Sequence, residues 1–188
     1  MSAQLPKSNT PELSETADQS GLYLLLAELL HLEIDPRLRE LLLQPEILEA
    51  FQQLDDRCES YLTSDWSEKD YETAAVEFCT QFILNDSDSV PRAAAWIDES
   101  HSKVLEDVVF AFIKEWKIEV PPSYQKLAHD HVSLLLYLSS TIRSQDINLA
   151  KEFDELTLAP WIAAFGKSLT SSPVPVYRAI RHILIDEI

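Results

Sequence analysis

Two glycines in 188 residues, Gly21 and Gly166, set the tightest limit on what this chain can fold into. An average protein carries roughly 7% glycine, and tight β-hairpins depend on it at positive φ. Sheet-rich folds joined by short turns are therefore disfavoured. The same scarcity removes the glycine-rich loops through which Rossmann and P-loop sites bring backbone amides onto phosphate. No nucleotide site, guanine nucleotide included, is expected. With 46% hydrophobic residues and apolar side chains recurring at helical spacing, the expected fold class is an all-α, single-domain helical bundle.

The length suits one domain with a sizeable core. Against 15 Lys and Arg stand 32 Asp and Glu, a net charge of −17. Such a surface repels nucleic acid and anionic lipid and attracts basic ligands, while also serving solubility. Cys58 and Cys79 form no CxxC pair, and two free thiols in a reducing cytosol are expected. The first twenty residues are polar and acidic, without the positive start and apolar run of a signal peptide. The stretch GLYLLLAELLHL (21–32) is too short for a membrane span and contains Glu28, so it reads as a core helix. The expected location is cytoplasmic, without stable membrane insertion. Residues 1–12 are expected to be a disordered N-terminal tail, and 13–188 a single all-helical domain.

Helix starts are legible along the chain. A first helix runs to about Leu32. Asp35 followed by Pro36 is a cap and a first helical residue, opening a helix through Leu43. Pro45 opens another, with Ile47, Leu48, Phe51 and Leu54 on one face. Ser67 and Asp70 form a variant capping box before a helix carrying Tyr71, Ala74, Ala75, Phe78, Phe82 and Ile83. Asn85–Ser89 are turn formers, and Pro91 holds Val90 extended. A helix then reaches about Trp116, packing Val104, Val108, Val109 and Phe112. Asp146 caps the helix from Ile147, Pro160 and Trp161 open the next, and the last begins near Val176.

The stretch PPSYQKLAHDHVSLLLYLSSTIR (121–143) is the organising one. Pro121 and Pro122 end what precedes them, and Ser123 is the expected N-cap of a long helix. His131, Leu134, Leu135, Leu138 and Ile142 mark its buried face. Its first turn would carry His129, Asp130 and His131. Two residues apart on a helix point roughly 200° away from each other, so His129 and His131 do not read as a metal pair, and no metal or other cofactor is expected. Asp130 and His131, adjacent on a helix, do not face one another as an acid–base pair would, and no nucleophile sits in a recognisable turn. Two readings of the pair remain open. Asp130 caps the helix beside a core histidine, or Asp130 accepts hydrogen bonds from a bound cation while His131 shapes the pocket. Trp96, beside Asp98 and Glu99, could meet a basic peptide by stacking and ion pairing. Arg178 and Arg181, one turn apart, read as partners for nearby carboxylates.

Four segments, EFCTQFI (77–83), VPRAAAWIDES (90–100), HDHVSLLL (129–136) and LAPWIAAFGKSL with PVYRAIRHIL (158–169, 175–184), resemble in order and spacing the TorD/DmsD family of cytoplasmic chaperones that mature molybdenum-containing oxidoreductases. The resemblance implies an all-α fold without catalytic residues. It implies binding of a twin-arginine signal peptide and of the body of a molybdoenzyme precursor until cofactor insertion. The family's Asp-His pair falls on Asp130 and His131, its aromatic after the loop on Trp96, its Pro-Trp on Pro160 and Trp161, and its Tyr-Arg on Tyr177 and Arg178. The expected peptide-binding set is Asp130, His131 and Trp96, with Asp98 and Glu99 as weaker electrostatic partners. Asp130→Ala is expected to weaken leader binding more than stability. Two departures stand out: Leu127-Ala128 in place of Glu-Pro, and Arg92-Ala93 where Pro-aromatic is usual. The alternatives are a helical enzyme using Asp130 and His131, and an adaptor or assembly subunit that recognises no leader. Either a monomer or a domain-swapped dimer fits the long 85–100 connection.

Overall fold

The computed structural model describes residues 12–84, 89–186 and 188, with only the backbone course given for 12–18. The expected disorder of the N-terminal tail therefore lies outside the described residues up to position 11, as do the turn formers at 85–88. Helix α1 is already formed at Glu12. Ten α-helices make up the described chain: α1 Glu12–Leu29, α2 Pro36–Leu42, α3 Pro45–Leu54, α4 Arg57–Thr63, α5 Glu68–Phe78, α6 Glu99–Glu115, α7 Val132–Arg143, α8 Ile147–Thr157, α9 Ile162–Ser168 and α10 Pro175–Asp186. Among the described residues no strand forms, and the fold is an all-α single-domain bundle. No described helix is long and apolar enough to cross a membrane.

The caps fall where side-chain chemistry demands. Asp35 accepts the Leu38 N–H at 2.7 Å, Asp146 accepts those of Asn148 and Leu149 at 2.9 and 3.1 Å, and Asp70 reaches back to the Ser67 N–H at 2.7 Å. Each satisfies an amide that the first helical turn would leave unpaired. At the far end of α6, Lys117 takes φ 49°, and the Ile118 N–H closes onto Ile113 O at 3.1 Å. This left-handed closure commonly uses glycine; here a lysine carries it.

Helix α7 lies at the centre, with α1 and α8 against it. Leu134, Leu135, Leu136, Leu138 and Ile142 are buried, and Ser133, Ser139 and Ser140 let neighbours approach closely. A second body of core forms where α10 meets α9, α3 and α4. Trp161, Phe165, Tyr177, Phe78 and Phe82 pack there in tilted and edge-on pairs. Arg178 of α10 donates to Asp55 at 2.7 Å, which is the carboxylate partner expected for it. Arg57 shares that carboxylate, and together the two guanidiniums hold it well below the usual range.

Three expectations are corrected. The long central helix does not begin after Ser123: residues 122–130 form turns, and α7 starts at Val132 with His131 as its cap. The chain there closes isolated turns, the Tyr124 N–H on Pro121 O at 2.9 Å and the Leu127 N–H on Tyr124 O at 3.0 Å, and Leu127, Ala128 and His129 are only half-buried. Val104 is 62% exposed, because α6 buries Leu105 and Val109 instead. The segment Cys79–Ile83 widens into a single π-helical turn rather than continuing α5.

The two glycines offer a direct test of packing. A Cβ at Gly21 would meet nothing within 4 Å, whereas at Gly166 it would meet Ile185 Cγ1 at 3.1 Å and Leu184 Cβ at 3.2 Å. Gly21→Ala should therefore raise the unfolding free energy by about 0.5–1 kcal/mol through helix propensity alone. Gly166→Ala should lower it by about 1 kcal/mol, because crowding against a buried leucine outweighs that gain. Urea unfolding of the two variants measures both; the same sign in each would contradict the packing around α9 and α10.

Candidate functional site

The chain before α7 is held by a short antiparallel bridge to the segment after the 85–88 connection. The Ala93 N–H donates to Asp130 O at 3.0 Å, and the Val132 N–H to Pro91 O at 2.9 Å. Pro91 has no N–H of its own and fixes its φ, so only its carbonyl can pair, and it does. The bridge brings Arg92 and Ala94 onto the side chain of Asp130. Arg92 Nε donates to Oδ1 at 2.8 Å and the Ala94 N–H to Oδ2 at 3.0 Å. Asp130 is fully buried, yet the Arg92 side chain above it is 45% exposed. Arg92 also lies 3.8 Å from Glu106 of α6. The result is a carboxylate at the bottom of a seat, with a guanidinium reaching in from solvent.

His131 lies beside it. Its Nδ1 accepts the Ser133 N–H at 3.2 Å, which makes the ring the N-cap of α7 and requires that nitrogen to be unprotonated. Burial pushes its pKa down to about 4. His31 and Arg92 push the same way, and Asp130 opposes them. His31, two residues beyond α1, stacks on Tyr124 with ring centres 4.8 Å apart, and Tyr124 stacks on Tyr137 at 4.9 Å. The His31 ring is also pushed down by burial, against a Ser123 backbone bond and Glu28.

A depressed histidine pKa gives a definite pH dependence. The neutral ring favours the fold, so its contribution is complete above about pH 6.5 and is lost as pH falls toward about 4. The loss at full protonation should be about 3 kcal/mol. Urea midpoints between pH 7.5 and 4.5 should fall steadily for the wild type and more shallowly for His131→Gln. An unchanged slope in the variant would move the effect to another group, His31 first.

The other expected site residues are placed differently. Trp96 is half-buried, its ring edge-on to Phe165 at 6.1 Å and its indole N–H donated to Val90 O at 2.8 Å. It is a prop for the Val90–Trp96 segment. Asp98 is the N-cap of α6, accepting the Ser100 and His101 N–H groups at 3.1 Å each and pairing with the His101 ring. The Ser100 hydroxyl, which also donates to this carboxylate at 2.5 Å, and then the His101 ring and amide hold its pKa well below the usual range. Glu99 is exposed in the first turn of α6. The structure thus brings Asp130 and His131 together and leaves Asp98 and Glu99 apart from them as surface groups of α6. The premise about His129 changes too, since neither it nor Asp130 is helical; the ring of His129 lies 6.2 Å from that of Phe110. Among the described residues, no three His, Cys, Asp or Glu are grouped as a metal would need.

Arg92 is the residue that sequence reasoning did not assign. Its only signal was negative: it stands where the resembling family usually has a proline. Helical spacing could not have paired positions 38 apart in the chain. No protein-family model matches this chain, and no curated protein matches it either.

Proposed function

We propose that this protein is a non-enzymatic chaperone that binds the twin-arginine signal peptide, and the body, of a molybdenum-containing oxidoreductase precursor in the cytoplasm. The observation that carries the reading is the seat around Asp130, a buried carboxylate that already holds one guanidinium through a charge-assisted bond of 2.8 Å. Because Arg92 reaches it from solvent, rotation of that side chain would hand the carboxylate to an arginine from another chain. Supporting it are the net charge of −17, which draws basic peptides, and the order of the four resembling segments. His131 stands beside the seat, and Trp96 props the Val90–Trp96 segment that carries Arg92.

The test is a calorimetric titration with three synthetic peptides: a twin-arginine leader, its lysine–lysine form, and a scramble of equal charge. The leader should bind at least tenfold more tightly than the scramble. Arg92→Ala, which removes the resident guanidinium, should strengthen leader binding and leave the scramble unchanged. Equal binding of all three peptides would reduce the interaction to bulk charge and end this reading.

A further inference from the structure

Between α4, one face of α5 and the segment that leads into α10 lies a cavity of about 280 Å³. Asp70, Thr73, Ala74 and Glu77 recur at helical spacing, so α5 turns one continuous face toward it. Tyr61 and Trp66 form two aromatic walls, with ring centres 5.0 Å apart and planes at 78°. Buried Ala74 and Val174 supply apolar lining, and none of the described lining residues is Lys, Arg or His. The polar side chains here are left as acceptors. The Trp66 indole N–H and the Ser64 hydroxyl both donate to Tyr61 O, and the Thr73 hydroxyl to Lys69 O, each at 2.8 Å. Asp70 accepts from Ser67 through Oδ2 alone. Glu77, half-buried, makes no hydrogen bond or ion pair among the described residues. Burial, then Glu77 and Asp70, push the Tyr61 hydroxyl up to about 12, so both carboxylates are felt at this aromatic wall.

We propose that this cavity binds a primary alkylammonium group, either the end of a lysine side chain from another polypeptide or a free amine of like size. A neutral ligand would displace water from Glu77 and supply no hydrogen bond in return. An ammonium brings three N–H donors to a set of acceptors. Its charge also meets two electron-rich rings, and Trp66 already serves one cation in this way, with the Arg39 guanidinium over it at 5.2 Å from the ring centre. A planar guanidinium stacks flat on one ring, whereas two rings at 78° make a corner that suits a compact head. A metal ion is disfavoured, since among the described residues no three His, Cys, Asp or Glu gather. The volume falls just below the roughly 300–1,000 Å³ of drug-sized sites, which suits one side chain rather than a cofactor. The site shares no residue with the seat around Asp130 and stands without the chaperone reading.

The readout is the Trp66 indole N–H, one of four in the proton–nitrogen NMR spectrum, identified by its loss in Trp66→Phe. n-Butylammonium chloride should shift it saturably. Sodium chloride at equal ionic strength, and n-butanol, the same chain without the charge, should not. Tetramethylammonium has the charge but no N–H and should bind about fivefold more weakly than butylammonium. Glu77→Gln should lose about tenfold in affinity for butylammonium. Thr73→Lys, at an exposed lining position, should abolish the saturable shift by supplying the chain's own ammonium, and it serves where Glu77→Gln fails to fold. Butanol as effective as butylammonium would make the cavity merely apolar and overturn the ammonium site. Tetramethylammonium as tight as butylammonium would overturn the selection of N–H donors, and wild-type affinity in both variants would overturn the location. N-acetyl-lysine methylamide separates the two sources. Affinity equal to that of butylammonium supports a lysine side chain as the ligand, and binding of butylammonium alone supports a free amine.

Discussion

Asp154→Ala is expected to lower the unfolding free energy by about 3–5 kcal/mol, the largest effect of any polar substitution in this protein. Asp154 and Arg143 are 8% and 5% exposed, and they form an ion pair between α8 and α7. Arg143 Nη1 also donates to Gln19 at 3.2 Å, and its guanidinium lies 4.4 Å from the centre of the Tyr23 ring. Burial pushes the Asp154 carboxyl up, while Ser139, Arg143 and Tyr23 hold it down. Truncating the carboxylate leaves a guanidinium in the interior with one amide and an aromatic face. Removing both charges is a different experiment. Arg143→Met with Asp154→Leu should unfold within about 1 kcal/mol of the wild type, because two desolvation costs vanish along with one attraction. A double variant as unstable as the single one would show that the pair stabilises in its own right.

Asp130→Ala should cost about 2–3 kcal/mol of stability, beside the loss of leader binding expected from the sequence. The carboxylate accepts from both Arg92 and the Ala94 N–H with no solvent exposure, so alanine strands a backbone donor and frees the Pro91–Ala95 segment from α7. The cost stays below that of Asp154→Ala because Arg92, 45% exposed, regains water. Asp130→Asn keeps an acceptor for Ala94 and should cost about 1 kcal/mol, which makes it the variant for peptide binding. Melting curves of the two variants decide the matter; equal, small shifts would mean that the bridge holds without this side chain.

The helical reading succeeded wherever a local signal was complete. Asp35–Pro36, Pro45, Ser67–Asp70 and Asp146 each combine a capping acceptor or a proline with an apolar period behind it, and each opens a helix. It failed at Ser123, where the spacing behind the cap (Tyr124, Leu127, Ala128) is only one turn long before the buried Asp130; Tyr124 instead stacks on His31 and on Tyr137 of α7. Val104 failed for a related reason. On α6 two faces have comparable apolar content, and only the position of α8 selects Leu105 and Val109 for the core. Asp98 was read as a peptide contact because it is acidic and near an aromatic. Its first duty is to the amides of its own helix.

What the sequence by itself determined was the class: scarce glycine, abundant apolar residues at helical spacing and acidic caps leave few alternatives to an all-α bundle with an acidic surface. These are local or summed properties, and each residue contributes without reference to distant ones. What only the tertiary structure decided was who meets whom. Asp130 finds Arg92 across 38 positions, Arg143 finds Gln19 across 124, and Asp55 finds Arg178 across 123. Such partners are chosen by how whole helices pack, because a buried charge must be paired wherever the fold puts it, and no spacing within a single helix encodes that choice.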